Sequence, residues 1–215
     1  MIILFDLDGT LIDSTDAIVS TFHHSFDVHN VEHPSDDAIK ALIGYPLDVM
    51  YERLGINRSK VWDFVDTYKE RYRVISTQQT NLFEFSTEAI IKASTFARLG
   101  IVTTKTGSYS VILMEHFNLM QYFEVLIGRE HVDNPKPHQE PILKALTQMD
   151  CTTEEVWMIG DTKLDLLSAE NAKINSIGVL SGYDTEETLQ NYTNYIFTDA
   201  FEAVKYLELY KKQVK

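Results

Sequence analysis

Cysteine is almost missing from this chain: Cys151 stands alone among 215 residues. One thiol excludes an intramolecular disulfide framework and any multi-cysteine zinc site, so a structural role is expected for it. Long apolar runs are missing too. None approaches the roughly 18 residues that a membrane span needs, and the first residues enter a strand-like pattern without the flanks of a signal peptide, so a cytoplasmic location and no membrane partner are expected. Basic residues are in short supply, with 19 Lys and Arg against 32 Asp and Glu and a net charge of −13. This balance argues against a nucleic-acid partner held on a broad basic surface. It leaves room for an anionic small molecule, because a metal ion and one or two lysines can reverse the field inside a cleft. No internal repeat, low-complexity tract, GxGxxG or Walker pattern is present, which argues against a dinucleotide enzyme. The basic tail Lys211-Lys212-Gln213-Val214-Lys215 is short and is expected to be a solvated helix end.

What the chain does have is 44% hydrophobic and 24% charged residues, a globular composition at a length that suits one domain or a core with a modest insertion. Its most informative stretch is Ile2-Ile3-Leu4-Phe5-Asp6-Leu7-Asp8-Gly9-Thr10. Four consecutive apolar residues predict a strand buried on both faces. Asp6 and Asp8 then fall at its carboxyl end, where open α/β sheets place their ligands.

From Ser14 to about Gln79 the pattern is helical, with no convincing strand. Ile18, Phe22 and Phe26 share one face, Ala38, Ile39 and Leu42 another, and Pro46 and Gly55 delimit a third helix. Ser59 is the expected N-cap of a fourth, carrying Trp62, Val65, Tyr68 and Tyr72 on one side. After Leu82 the chain alternates. A helix over 87–99 ending at Gly100 precedes a strand at Ile101-Val102-Thr103. Helices follow near 108–117, from about Pro137 and over 162–172, and strands at 125–127, 156–159, 176–179 and 195–197. Alternation of this kind implies a doubly wound parallel sheet covered on both faces, an α/β fold with an inserted all-helical block. The expected division is 1–14 with 82–215 as core and 15–81 as insertion.

The strand ends carry the chemistry. Asp6 and Asp8 end the first strand, Thr103, Thr104 and Lys105 end the one at Ile101, and Gly160-Asp161 ends the one at Val156, with Asp165 four residues on. Lys136 sits between two prolines where a loop becomes a helix. In a parallel sheet these ends converge on one cleft. Two like charges about 4 Å apart repel by roughly 4 kcal/mol at an effective dielectric of 20, so the acids require protons or a cation. Oxygen ligands with room for water and substrate suit magnesium, and zinc is disfavoured because no His or Cys joins the cluster. His23, His24, His29 and His33 lie elsewhere at irregular spacing, and no metal site is expected there.

Asp6-Leu7-Asp8-Gly9-Thr10, Thr103, Lys136 and Gly160-Asp161-Thr162-Lys163-Leu164-Asp165 resemble the four ordered motifs of the haloacid dehalogenase superfamily, and the helical insertion resembles its first type of cap. The resemblance implies a Rossmann-like core and a phosphatase that works through an aspartyl-phosphate. It implies Asp6 as nucleophile, Asp8 as general acid and base, Thr103 and the backbone near Thr104 as phosphoryl-oxygen contacts, and Lys136 as the neutralising cation. Asp6, the Asp8 carbonyl and Asp161 would hold Mg2+, with Asp165 ligating it or orienting its neighbours. Dehalogenases lack an acid where Asp8 stands, and ion-pumping relatives usually place Thr there, so Asp8 favours hydrolysis.

The cap type and the Gly-Ile-Val-Thr-Thr-Lys run look most like phosphoglycolate phosphatases, with pyrophosphatases and nucleotidases close behind. A small phosphorylated metabolite is therefore the expected partner, with oligomeric state open. In such caps the loop around Ile43-Gly44-Tyr45-Pro46-Leu47 faces the site, which makes Tyr45 and Lys105 candidate substrate contacts. Cap closure would hinge near 13–16 and 82–86. A phosphotransferase such as a hexose-phosphate mutase and a non-catalytic binding module on the same fold remain as alternatives.

Overall fold

The run Ile2–Phe5 forms β1, a strand with all four side chains fully buried and hydrogen-bonded on both edges. The computed structural model describes residues 1–151 and 155–213. After β1 come β2 (Ile12–Asp13), α1 (Thr15–Val28), α2 (Asp36–Lys40), α3 (Leu47–Arg53), α4 (Val61–Gln79) and β3 (Asn81–Leu82). The chain continues through α5 (Ser86–Ser94), β4 (Arg98–Val102), α6 (Gly107–His116), β5 (Val125–Ile127), α7 (Glu140–Gln148) and β6 (Val156–Gly160). It ends with α8 (Lys163–Ala172), β7 (Asn175–Val179), α9 (Glu186–Leu189), β8 (Ile196–Phe197) and α10 (Ala200–Gln213).

Six strands make one parallel sheet in the order β5-β4-β1-β6-β7-β8. Side chains alternate along β1, as a strand's period of two requires. Ile3 and Phe5 enter a core shared with α5, α6 and α10, and Ile2 and Leu4 enter a second core shared with α7 and α8. Burying each such side chain contributes about 1.5–3 kcal/mol, so a polar replacement in β1 would strike both cores through the central strand. From β1 the chain runs outward through β4 and β5, then crosses back to β6 on the other side of β1 and outward through β7 and β8, which opens a crevice at the carboxyl ends of the strands.

Helices α1 to α4 form the insertion and pack around an aromatic centre. Phe22 lies 4.6 Å from Tyr51 and 5.1 Å from Tyr68 between ring centroids, and Phe26 lies 5.4 Å from Phe64. The antiparallel pair β2–β3 joins the two connections between insertion and sheet. It has two residues per strand, too few for a periodic signal in the sequence.

Several expectations are corrected. The helix expected over 87–99 stops at Ser94, and Gly100 lies inside β4. A Cβ at Gly100 would sit 2.8 Å from both Leu4 and Val125, so this glycine permits close packing of neighbouring strands. Ser59 does not cap α4. Its Oγ donates to Asn57 Oδ1 at 2.8 Å, and the helix starts at Val61 after Lys60. Trp62 is 59% exposed, because it lies about 100° around the helix from the stripe of Val61, Phe64, Val65, Tyr68 and Tyr72.

His23 and His33 stack at 4.9 Å and bond to Asp36 and Asp27, giving these histidines carboxylate partners that their spacing did not suggest. In the tail, Lys211 reaches the Phe96 carbonyl and Lys212 pairs with Glu208, while Val214 and Lys215 lie outside the described residues. Among the described residues no helix is long and apolar enough to cross a membrane.

Candidate active site

Register aligns the acids. Phe5 pairs with Ile101 on one side and Ile159 on the other, so Asp6 follows one residue later, and Thr103 and Asp161 lie two residues past their partners. The Asp6 amide donates to the Ile159 carbonyl at 2.9 Å, and the Thr103 amide to the Ile127 carbonyl at 2.9 Å, so the sheet ladder itself fixes both residues. Lys136 arrives from the loop before α7 with a buried ammonium. It donates to the Val102 carbonyl at 3.0 Å and bonds Asp165, and it lies 2.9 Å from Asp6 Oδ1.

That last approach is an ion pair without hydrogen-bond alignment, and Asp6 Oδ1 is left buried with no hydrogen bond. Burial pushes the Asp6 carboxyl up to about 6, against the pull of Lys136, with the charges of Asp165 and Asp8 adding to the rise. Burial and the Asp165 and Asp6 charges likewise raise Asp161 well above the ordinary carboxylate range. Burial alone would lower the Lys136 ammonium, but Asp165 and Asp6 outweigh it and hold the group above its usual value, hence charged.

Asp6, Asp161 and Asp165 each offer a carboxylate oxygen within 4.8 Å of the others, all buried. The expected magnesium fits this donor set on two counts. The ligands are all oxygen, and one lysine against three carboxylates leaves a buried negative charge and an unbonded Asp6 oxygen. Asp8, also expected among the ligands through its carbonyl, keeps its side chain outside this carboxylate cluster. Asp165 is already engaged: Thr162 donates to Oδ2 through its amide at 3.0 Å and its hydroxyl at 2.7 Å, the capping box of α8, and Lys136 takes Oδ1.

Asp161 is clamped differently. Thr10 Oγ1 donates to Oδ1 at 2.9 Å and the Tyr183 amide to Oδ2 at 3.0 Å. Two glycines make room for it. A Cβ would come within 2.2 Å of Asp161 Oδ2 at Gly9, where φ is +85°, and within 2.0 Å at Gly182. Neither Tyr183 nor the Gly182 contact carried a sequence signal beyond the bare presence of a glycine in the loop after β7.

Asp8 faces the opposite way. Lys105 Nζ donates to its Oδ2 at 2.9 Å and Oδ1 at 3.1 Å, and Ser14 Oγ also donates to Oδ1. Lys105 sits 4.6 Å above the Tyr72 ring, and Asp8 and Tyr72 together hold its ammonium above the usual value despite the opposing effect of burial. Ser14 stands at the N-cap position just before α1 and belongs to none of the four motifs.

Beyond Asp8 opens a cavity of about 250 Å3 between sheet and insertion, lined in part by Gly44, Tyr45, Trp62, Tyr68, Tyr72, Thr104 and Lys105. Thr104 Oγ1 donates to the Gly44 carbonyl at 2.9 Å, tying the loop of the insertion to the sheet edge. Tyr45 lines the cavity while Arg53 stacks on it at 4.0 Å. Thr103 Oγ1 accepts from the Lys105 amide at 3.2 Å. Asp6, Thr103, Lys136, Asp161 and Asp165 thus form one buried group, and Asp8, Thr104, Lys105 and Tyr45 line the space next to it.

Known proteins share this arrangement of chain. Pyrophosphatase PpaX of Halalkalibacterium halodurans is 33% identical over 177 residues, covering 81% of this chain and 80% of that protein. The protein named "Probable phosphatase IndB" from Dickeya dadantii is 31% identical over 212 residues, covering 94% and 91%. The crystal structure of a haloacid dehalogenase-like hydrolase from Bacteroides fragilis superposes with a TM-score of 0.89 at 28% identity, covering 94% of this chain and 98% of that one. The model of the haloacid dehalogenase-like hydrolase family matches residues 3–179, a span that starts in β1 and ends with β7 and so takes in every acid of the buried group. With five of the six sheet strands, the insertion and the acid cluster inside that match, the chain belongs to the haloacid dehalogenase-like hydrolases and is a phosphatase of that family.

Proposed function

We propose that the protein is a magnesium-dependent hydrolase of phosphate monoesters that works through a phosphorylated Asp6. The observation that carries this reading is the division between two acids only two residues apart: Asp6 is buried against Lys136, while Asp8 borders the cavity. Environments this different suit different roles. Asp6 attacks phosphorus, and the bond from phosphorus to the ester oxygen breaks. Asp8, as the carboxylic acid, gives its proton to the departing oxygen, and the alcohol leaves into the cavity. The resulting Asp8 carboxylate then takes a proton from water, whose oxygen attacks phosphorus and releases phosphate and the Asp6 carboxylate.

Lys136 and the Thr103 hydroxyl stabilise the equatorial oxygens of the transferring group, and Thr104 supports them through its backbone. Asp6, Asp161 and the Asp8 carbonyl would hold Mg2+, with Asp165 positioning Lys136 and the first turn of α8. When bound, the ion supplies charge neutralisation for nucleophile and phosphoryl oxygens. The segments at 1–14 and 82–215 act as the catalytic core and 15–81 as a cap that excludes water during the first step.

Two substrate readings stand side by side. A small phosphoglycolate-like monoester follows from the motif resemblance, and pyrophosphate is favoured by the names of relatives such as the Halalkalibacterium protein. A panel of phosphoglycolate, pyrophosphate, nucleotides and sugar phosphates, ranked by kcat/KM with and without Mg2+, tests the reading. Turnover that requires Mg2+ and is lost in Asp6→Asn supports it. Transfer of phosphate between sugar positions without release would favour a mutase, and turnover intact in Asp6→Asn would overturn the mechanism.

A further inference from the structure

The space beyond Asp8 is unlike a receptor for a second anion. Its insertion side includes Met50, Trp62, Val65, Tyr68 and Tyr72, an apolar and aromatic surface, beside the charged Asp48 and Lys69. Its cations are Lys69, Lys105 and Arg129, and its acids are Asp8, Asp48 and Glu130. Lys105 is committed to Asp8, and Arg129 Nη1 donates to the Val132 carbonyl at 2.9 Å. A glycolate carboxylate or a second phosphate would therefore share three cations, two of them already engaged, with the resident acids and would lose hydration there, which is costly.

Size points the same way. An apolar cavity of about 150 Å3 accepts a benzene ring, so about 250 Å3 has room for a ring and a short linker to the phosphoryl group at Asp8. Trp62 adds an independent sign. It is 59% exposed, against 1–4% for Phe64, Val65, Tyr68 and Tyr72 of the same helix, and it lies at this cavity. A large exposed aromatic beside a cleft offers a stacking face for a planar group.

We infer that the alcohol released by this enzyme carries an aromatic ring on a short linker, held in the cavity against the α4 residues that line it, with the exposed Trp62 beside it. This rests on the phosphatase reading above, in which the leaving group departs on the Asp8 side. The phosphate then identifies the ester and the ring selects it, so the reaction supplying the substrate is phosphorylation of an aryl-bearing alcohol.

Two pairs of ligands test the inference apart from the reading it rests on. Phenethyl and ethyl phosphate release alcohols of similar leaving ability, so their kcat/KM ratio with Mg2+ measures recognition of the ring. Phenethylphosphonate and ethylphosphonate, which are not hydrolysed, measure the same recognition by calorimetry without catalysis. The aryl member of each pair is expected to be favoured at least tenfold, and Trp62→Ala, a change at an exposed residue, is expected to lower that preference threefold or more. Equal affinity for the two phosphonates, or a kcat/KM for phosphoglycolate or pyrophosphate more than tenfold above that for phenethyl phosphate, overturns the inference and leaves the phosphatase reading standing. Absence of turnover for every ester and for pyrophosphate overturns the phosphatase reading, while the phosphonate pair still decides whether the cavity takes a ring.

Discussion

Lys105 Nζ lies 2.9 Å from Asp8 Oδ2 and 4.6 Å above the Tyr72 ring, so one buried ammonium joins Asp8 of the core to the longest helix of the insertion. With Ser14 on Oδ1, it holds the Asp8 carboxylate in one orientation. Lys105→Met is expected to lower kcat about 10- to 100-fold with KM changed by less than fivefold, because general acid–base catalysis contributes on the order of 10²–10⁴ and depends on placement. Lys105→Arg should recover part of the loss. Steady-state kinetics on one ester checks this, and an unchanged kcat in Lys105→Met would show that Asp8 needs no such support.

The buried acids set a pH dependence for the metal-free protein. The Asp6 carboxyl rises from 3.8 to about 6 on folding, chiefly through burial, so between those values the folded state binds more protons than the unfolded one. Its effect on stability is therefore nil below about pH 4 and unfavourable above pH 6. Without Mg2+, Asp6→Asn is expected to be more stable than the wild type at pH 7, by on the order of 1–3 kcal/mol, with the difference vanishing near pH 4. Added Mg2+ should stabilise the wild type more than the variant. Denaturant unfolding from pH 4 to 7 reads both effects.

Gly182 gives the site a steric test that leaves every charge in place. A Cβ there would fall 2.0 Å from Asp161 Oδ2, and the Tyr183 amide that bonds the same oxygen is the next residue along. Gly182→Ala is expected to raise the Mg2+ concentration for half-maximal activity by tenfold or more, with near-wild-type circular dichroism. A tenfold change corresponds to about 1.4 kcal/mol, modest for an oxygen displaced from a charged site. Mg2+ titration of activity gives the answer.

The parts of this site that follow from a strand ending in a polar residue were legible in the sequence. Asp6 and Thr103 come directly after an apolar run and Asp161 one glycine later, and a parallel sheet gathers such ends whatever the loops do. Lys136 stood out by its flanking prolines. Ser14, Gly182 and Tyr183 did not, because their contacts with Asp8 and Asp161 depend on how loops fold over the sheet edge, and loops have no period. A glycine after an apolar stretch marks a helix end as readily as a crowded strand, so the sequence carries no sign that Gly100 lies inside β4. By spacing Trp62 shares a side with Val65, Tyr68 and Tyr72, yet it is exposed, because a helical stripe is wide in sequence and its edge residue can face either way.

The central claim is that Asp6 becomes phosphorylated. Rapid acid quenching during turnover with Mg2+, followed by borohydride reduction and peptide mass spectrometry, converts an aspartyl-phosphate to homoserine and locates it in the sequence. Homoserine at position 6, at a level that rises with substrate and is absent without Mg2+, is the result this account predicts. Homoserine at position 8, or sustained turnover with no reduced residue when the quench is faster than the turnover time, would contradict it.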